Sequence, residues 1–145
     1  MARPPIVFEE EPSRDDLDRL RAEIETFNDE ATGFRDGRHL TAFVRDEAGA
    51  MIAGISGFTW GGYAKIEFLW VAAPRRHAGL GRTLLAAAEA EARARGCRLI
   101  MLDTHDFQAP GFYATQGYVA CGRVDDAPRG SGQTWFQKAI AATDT

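Results

Sequence analysis

Residues Arg75 to Arg82 read Arg-Arg-His-Ala-Gly-Leu-Gly-Arg, with cationic side chains set around two glycines. The apolar stretch before them, ending at Val71, reads as a strand, and the stretch from Leu80 reads as a helix. The segment is therefore the turn that opens a helix. Backbone N–H groups in a first helical turn lack intrahelical partners and carry partial positive charge. Glycines there let an anion approach the backbone, and Arg75, Arg76 and Arg82 add fixed charge. The chemistry that suits such a place is the binding of a pyrophosphate.

Three glycine-rich patterns compete for this turn. A P-loop needs a Gly-Lys-Ser/Thr ending, which the chain lacks. A dinucleotide fingerprint needs a third Gly or Ala where Leu84 stands, but Asp103 lies roughly twenty residues further on, as its acidic ribose partner would. That reading is weakened and stays open, as does a bare strand-to-helix turn with no ligand. The third pattern, Arg/Gln-x-x-Gly-x-Gly/Ala, is met in full by Arg76-His77-Ala78-Gly79-Leu80-Gly81. Here the chain resembles the GNAT superfamily of acyl-CoA-dependent N-acyltransferases, whose motif A has this form.

A second stretch extends the resemblance. Asp106-Phe107-Gln108-Ala109-Pro110-Gly111-Phe112-Tyr113-Ala114-Thr115-Gln116-Gly117-Tyr118 is similar to motif B of that family, roughly Asn-x-x-Ala-x-x-Phe-Tyr-x-x-x-Gly-Phe. Ala109, Phe112, Tyr113 and Gly117 match by spacing, and Tyr118 stands in for Phe. Asp106 replaces the usual Asn, which puts in doubt whatever cofactor contact that amide makes. The two motifs cover the second half of the chain. The first half matches only in its elements.

The resemblance implies acetyl-CoA as cosubstrate, no metal, and N-acetylation of a primary amine of a small molecule by direct attack in a ternary complex. Arg76, His77, Ala78, Gly79, Leu80, Gly81 and Arg82 would hold the pyrophosphate, while Leu69, Trp70 and Val71 would pair with the pantetheine arm. The family places the thioester where two parallel strands splay apart, here those ending at Val71 and near Thr104, so the Val71 N–H becomes the oxyanion donor. Tyr113, by its place in motif B, would border the cofactor and protonate the departing thiolate; a phenol keeps its proton at neutral pH. Glu67 is the first candidate base, since it shares a face with Leu69 and Val71 if the strand is regular. His105 is the second, by its ordinary pKa.

Other functions remain open. The chain could be a non-catalytic acyl-CoA-binding module, or the acceptor could be a protein amine or an aminoglycoside-like antibiotic. Glu9 to Glu11, Asp125 and Asp126 would suit a cationic acceptor, although such side chains are usually just solvated.

The elements that must position these residues follow from patterning. Ile6-Val7-Phe8 reads as a first strand. Ser13 caps a helix whose Leu17, Leu20, Ile24 and Phe27 recur at helical spacing, predicting a face that packs. From Asn28 to Gly37 the pattern lapses into a loop or a poor short helix, a region that in the family often covers the acceptor site. Strands are expected at His39–Arg45, Ala50–Trp60 and Tyr63–Val71, with Gly54 and Gly57 marking a bulge or a close neighbouring backbone. His39 is a lone strand-edge histidine, more simply solvated than catalytic. A helix from Leu80 to Arg95 stops at Gly96. An apolar run at Leu99–Leu102 predicts a strand covered on both faces. A short helix over about Gln108–Gln116 and strands at Tyr118–Val124 and Gln133–Ile140 complete the chain. This is an α/β (α+β) order, and the GNAT fold it matches is a mixed, mostly antiparallel sheet of about six to seven strands with helices on both faces.

Composition bounds the rest. The chain has 145 residues, 45% hydrophobic and 26% charged, which suits one globular domain over residues 1–145. A net charge of −4 argues against a general nucleic-acid partner. With no membrane-length apolar run and no signal-peptide core, the expectation is a cytoplasmic protein without a membrane partner. Cys97 and Cys121 read as two buried thiols in apparent strands, a disulfide being the lesser reading. An exposed sheet edge at Trp135-Phe136 would permit a homodimer.

Overall fold

The computed structural model describes residues 2–141, and the chain divides after Arg35 into two compact units. In the first, Ile6, Val7 and Phe8 form no strand and are 73–95% exposed. Extended residues become a strand only by pairing, and within this unit the segment has no strand partner. Helix α1 (Arg14–Thr32) starts where Ser13 Oγ accepts the Asp16 N–H at 3.1 Å. It ends at Gly33, whose φ of 80° lets its N–H reach the Asp29 carbonyl. The helix thus runs on through Asn28–Thr32, so of the loop or poor short helix expected there the first part is helical. A formed helix propagates until a cap stops it, even where its apolar periodicity lapses. No α1 residue is buried within this unit, where Leu17, Leu20, Ile24 and Phe27 are 51–69% exposed, so the unit by itself gives the expected face nothing to pack on.

The second unit is built on strands β1 (Arg38–Arg45), β2 (Met51–Trp60) and β3 (Tyr63–Val71). Gly61 and Gly62, both at positive φ, make the two-residue turn that joins β2 to β3. Helix α2 (Leu80–Ala94), β4 (Leu99–His105), α3 (Pro110–Thr115), β5 (Val119–Asp125) and β6 (Gly132–Ala139) follow. The six-stranded sheet has the order β1-β2-β3-β4-β6-β5, with every pair antiparallel except β3–β4.

Leu84, Leu85, Ala88 and Ala92 of α2 enter one core with Leu40, Ile55, Ile66 and Ile100 of the sheet. The helix closes as a Schellman motif. Gly96, at φ 85°, donates to Arg93 O at 2.9 Å, and Cys97 donates to Ala92 O at 2.9 Å. In β4, Ile100, Leu102 and Thr104 are buried and the alternate residues only half-buried, so one face is covered more fully than the other. Cys97 is buried but precedes β4, whereas Cys121 is exposed, and both are free thiols. Trp135 and Phe136 do not form an edge, because β6 lies between β4 and β5. The edge on that side is β5.

Candidate active site

Strands β3 and β4 pair only over Tyr63–Lys65 and Leu99–Met101. Just past Lys65 the β2–β3 register slips: Gly57 faces Ile66 and Ser56 faces Phe68, leaving Glu67 as the extra residue of a bulge. A bulge bends its strand and sharpens its twist. From that point β3 departs from β4, which continues to His105 paired with β6 alone. The bulge also breaks the regular alternation that would have put Glu67, Leu69 and Val71 on one face. Ala64 and Ile66 are buried before it, whereas Leu69 and Val71 pack against the core after it. Glu67 therefore does not share a face with Leu69 and Val71 by regular alternation, although it does line the cleft.

The opening exposes polar backbone. Ala72 donates to Ile52 O at 2.8 Å, which makes Val71 and Ala53 a non-hydrogen-bonded pair. The Val71 N–H therefore points away from β2, toward the side that β4 has left. Alternation gives Leu69 the same orientation, while Trp70 pairs with Gly54. The Val71 carbonyl is taken by Arg76 Nε at 3.0 Å, which folds the turn back on the strand end.

That turn includes His77 at φ 65° and Gly79 at φ 84°. Gly79 is the N-cap of α2 and offers no side-chain acceptor; the helix's first bonds are Thr83 N and Oγ1 to Gly79 O, at 3.0 and 2.9 Å. The N–H groups of Leu80, Gly81 and Arg82 precede that bond and are left for an external acceptor. A Cβ on Gly81 would make only ordinary contacts, 3.8 Å to Phe112 and 3.9 Å to Val71. Packing does not demand glycine there, so the room suits a ligand at the helix end. Arg76, Gly79, Gly81 and Arg82 are the residues that could hold a pyrophosphate at this helix end.

The turn and the strand ends surround one cavity of about 1080 Å³. It is lined by Glu67, Leu69, Trp70, Val71, Arg76, His77, Gly79, Leu80, Gly81, Arg82 and Tyr113, and of the expected cofactor contacts Ala78 stands outside it. Tyr113 reaches it from α3, its ring edge-on to Phe112 and Tyr118 with centroids 5.1 and 5.9 Å apart. Burial, then the nearby Asp103 charge, raises its pKa above the usual phenol value. Asp103 also lines the cavity and accepts a hydrogen bond from Gln133. His105 is not in the lining. Its Nδ1 lies 3.2 Å from the Ala127 carbonyl, and its ring stacks on Phe107 at 5.0 Å.

The motif B departure has a local cause. Asp106 forms a bidentate pair with Arg123 at 2.8 and 2.9 Å, which holds its carboxyl below the usual range. It does not line the cavity.

One functional-looking group was missed in the sequence. Glu89 is buried on α2, bonded to Lys138 and Tyr118. The available signal was its place four residues after Leu85, on the apolar face of a helix.

The dinucleotide reading meets a sheet with a single parallel pair, not the doubly wound parallel sheet it requires. Among the described residues no helix is long and apolar enough to cross a membrane.

A profile of the acetyltransferase (GNAT) family matches residues 5–118. A blasticidin-S acetyltransferase of Streptomyces morookaense is 42% identical over 85 residues, 58% of this chain and 62% of that protein. That match spans less than two thirds of the relative's length. Acetyltransferase Atu2258 of Agrobacterium fabrum is 30% identical over 119 residues, covering 82% of this chain and 87% of its own. The crystal structure of an acetyltransferase from Bacillus cereus is similar at a TM-score of 0.77 and 32% identity, over 92% of this chain and 98% of that one. On family match, relatives and fold together, the chain belongs to the GNAT family of acetyltransferases.

Proposed function

We propose that the protein transfers an acetyl group from acetyl-CoA to a primary amine of a small molecule, by direct attack within a ternary complex. The observation that carries this reading is the β3–β4 opening beside an uncapped helix N-terminus. Acetyl-CoA would supply the thioester. The N–H groups at the start of α2, with Arg76 and Arg82, bind its pyrophosphate. Leu69 and Val71 offer backbone groups to the amide arm, and the Val71 N–H donates to the oxygen where negative charge develops. Glu67 accepts the proton of the amine, and Tyr113 gives its proton to the departing sulfur. Glu67 is preferred to His105 as base because Glu67 borders the cavity and His105 does not. A small-molecule acceptor is favoured by the 42% identity to a protein named for acetylating blasticidin S.

The test is thiol release from acetyl-CoA with blasticidin S, an aminoglycoside, spermidine and a peptide with a free N-terminus. Release stimulated by a small amine is expected. Stimulation by the peptide alone would overturn the acceptor class, and no stimulation by any amine would favour a binding module.

A further inference from the structure

The last turn of α3 is tied to the rest of its unit by an ion pair between a buried glutamate and a partly buried lysine. Glu89 of α2 is 6% exposed and accepts from Lys138 Nζ of β6 at 3.0 and 3.1 Å and from Tyr118 Oη at 2.9 Å. Arg93 stands 3.7 Å away on the same helix. Lys138 Nζ also donates to the carbonyl of Gln116, the C-cap of α3, at 2.9 Å. Tyr118 returns its own N–H to the Tyr113 carbonyl at 3.1 Å, and its ring meets the ring of Tyr113.

This arrangement is not explained by stability alone. Replacing a buried ion pair with well-packed apolar residues is often neutral or stabilising. What the pair adds is direction. Helix α3 has six residues and no side-chain cap at its start, and Phe112 and Tyr113 pack against the core without capping the helix. Its end is held instead by Lys138 on the Gln116 carbonyl, with Glu89 fixing Lys138 and Tyr118 together.

We propose that the Glu89–Lys138 pair is a positioning element for Tyr113, locking the end of α3 so that the phenol stays in the β3–β4 cleft. The inference rests on Tyr113 acting as the acid in the proposed reaction. The pair acts through Tyr118 and Gln116 and touches no reacting atom.

The chain has three tyrosines, Tyr63, Tyr113 and Tyr118, so fluorotyrosine-labelled protein gives a fluorine spectrum assignable by single Tyr→Phe changes. Lys138→Met is expected to shift or broaden the Tyr113 resonance and to lower the rate of thiol release from acetyl-CoA roughly tenfold, with acetyl-CoA affinity unchanged. Lys138→Arg, which keeps both contacts, should restore both. In a Tyr113→Phe background Lys138→Met should cost nothing more. The paired change Glu89→Gln with Lys138→Met leaves no unpaired buried charge and serves if the single variant does not fold. A Tyr113 resonance unmoved by Lys138→Met, or a rate loss that persists in full without the Tyr113 hydroxyl, would overturn the proposal while leaving Tyr113 as acid. A wild-type rate for Tyr113→Phe alone would remove the acid role and this inference with it.

Discussion

Gly57 and Lys65 lie so close across the β2–β3 ladder that a Cβ on Gly57 would overlap the Lys65 carbonyl oxygen. Lys65 is also the last β3 residue paired with β4, and Glu67, two residues on, is the bulge. A glycine in one strand therefore permits the close approach at which its neighbour bends away, and the cleft opens there.

Gly57→Ala should destabilise the protein by about 1–3 kcal/mol, because backbone rather than a movable side chain must give way. Chemical denaturation measures this. The same change should weaken acetyl-CoA binding, since the strand end would be displaced.

Gly81→Ala should separate folding from binding. The added methyl fits within the protein and replaces a poor helix former, so stability should hold or rise by up to about 1 kcal/mol. Acetyl-CoA affinity should nonetheless fall, roughly tenfold or more, as the methyl enters the space at the helix end. Thermal melting and calorimetry read the two effects independently.

Tyr113→Phe should lower turnover by about 10² while leaving acetyl-CoA binding intact. The acid works only while protonated, and burial with the Asp103 charge moves its pKa above 10.0. Activity dependent on this proton therefore persists up to that pH and declines only above it. A pH–rate profile with a falling limb near neutrality that disappears in Tyr113→Phe would contradict the assignment.

Glu89→Ala should cost about 3 kcal/mol or more, because it strands Lys138 in a partly buried place with only a carbonyl and a ring for company. Replacing both residues with methionine should cost less than the single change. Equilibrium denaturation of the two variants decides the order.

Asp106 gives an acid-limb test. Its pKa lies below the usual 3.8 because Arg123 bonds its charged form. Stability from this pair is fully present above 3.8 and is lost as pH falls through the lower folded value. Asp106→Asn should thus be less stable than the parent at neutral pH, and the gap should close in strong acid, as melting across pH would record.

Much of the cleft was legible in the chain because its signals are local. Gly79 before a helix, Gly96 at its end and Gly57 within a strand each report a backbone demand that other residue types meet poorly, and Gly81 leaves room at the helix start. The β1–β2–β3 meander followed from its turns for the same reason. What was not legible depends on partners distant in sequence. Ile6-Val7-Phe8 has strand composition yet forms no strand, and α1 persists past Asn28 because Gly33, not periodicity, stops it. Trp135-Phe136 read as an edge because strand order is a property of the sheet. The pairing of Glu89 with Lys138 spans 49 residues, beyond any spacing rule.

The most direct test of the account is calorimetric titration of acetyl-CoA and of NADH into the parent protein and into Gly81→Ala. Saturable heat from acetyl-CoA is expected with the parent, a clearly weaker response with Gly81→Ala, and none from NADH. Absence of acetyl-CoA binding to the parent, or equal binding by the two proteins, would contradict it, because every role assigned above depends on that cosubstrate lying at the start of α2.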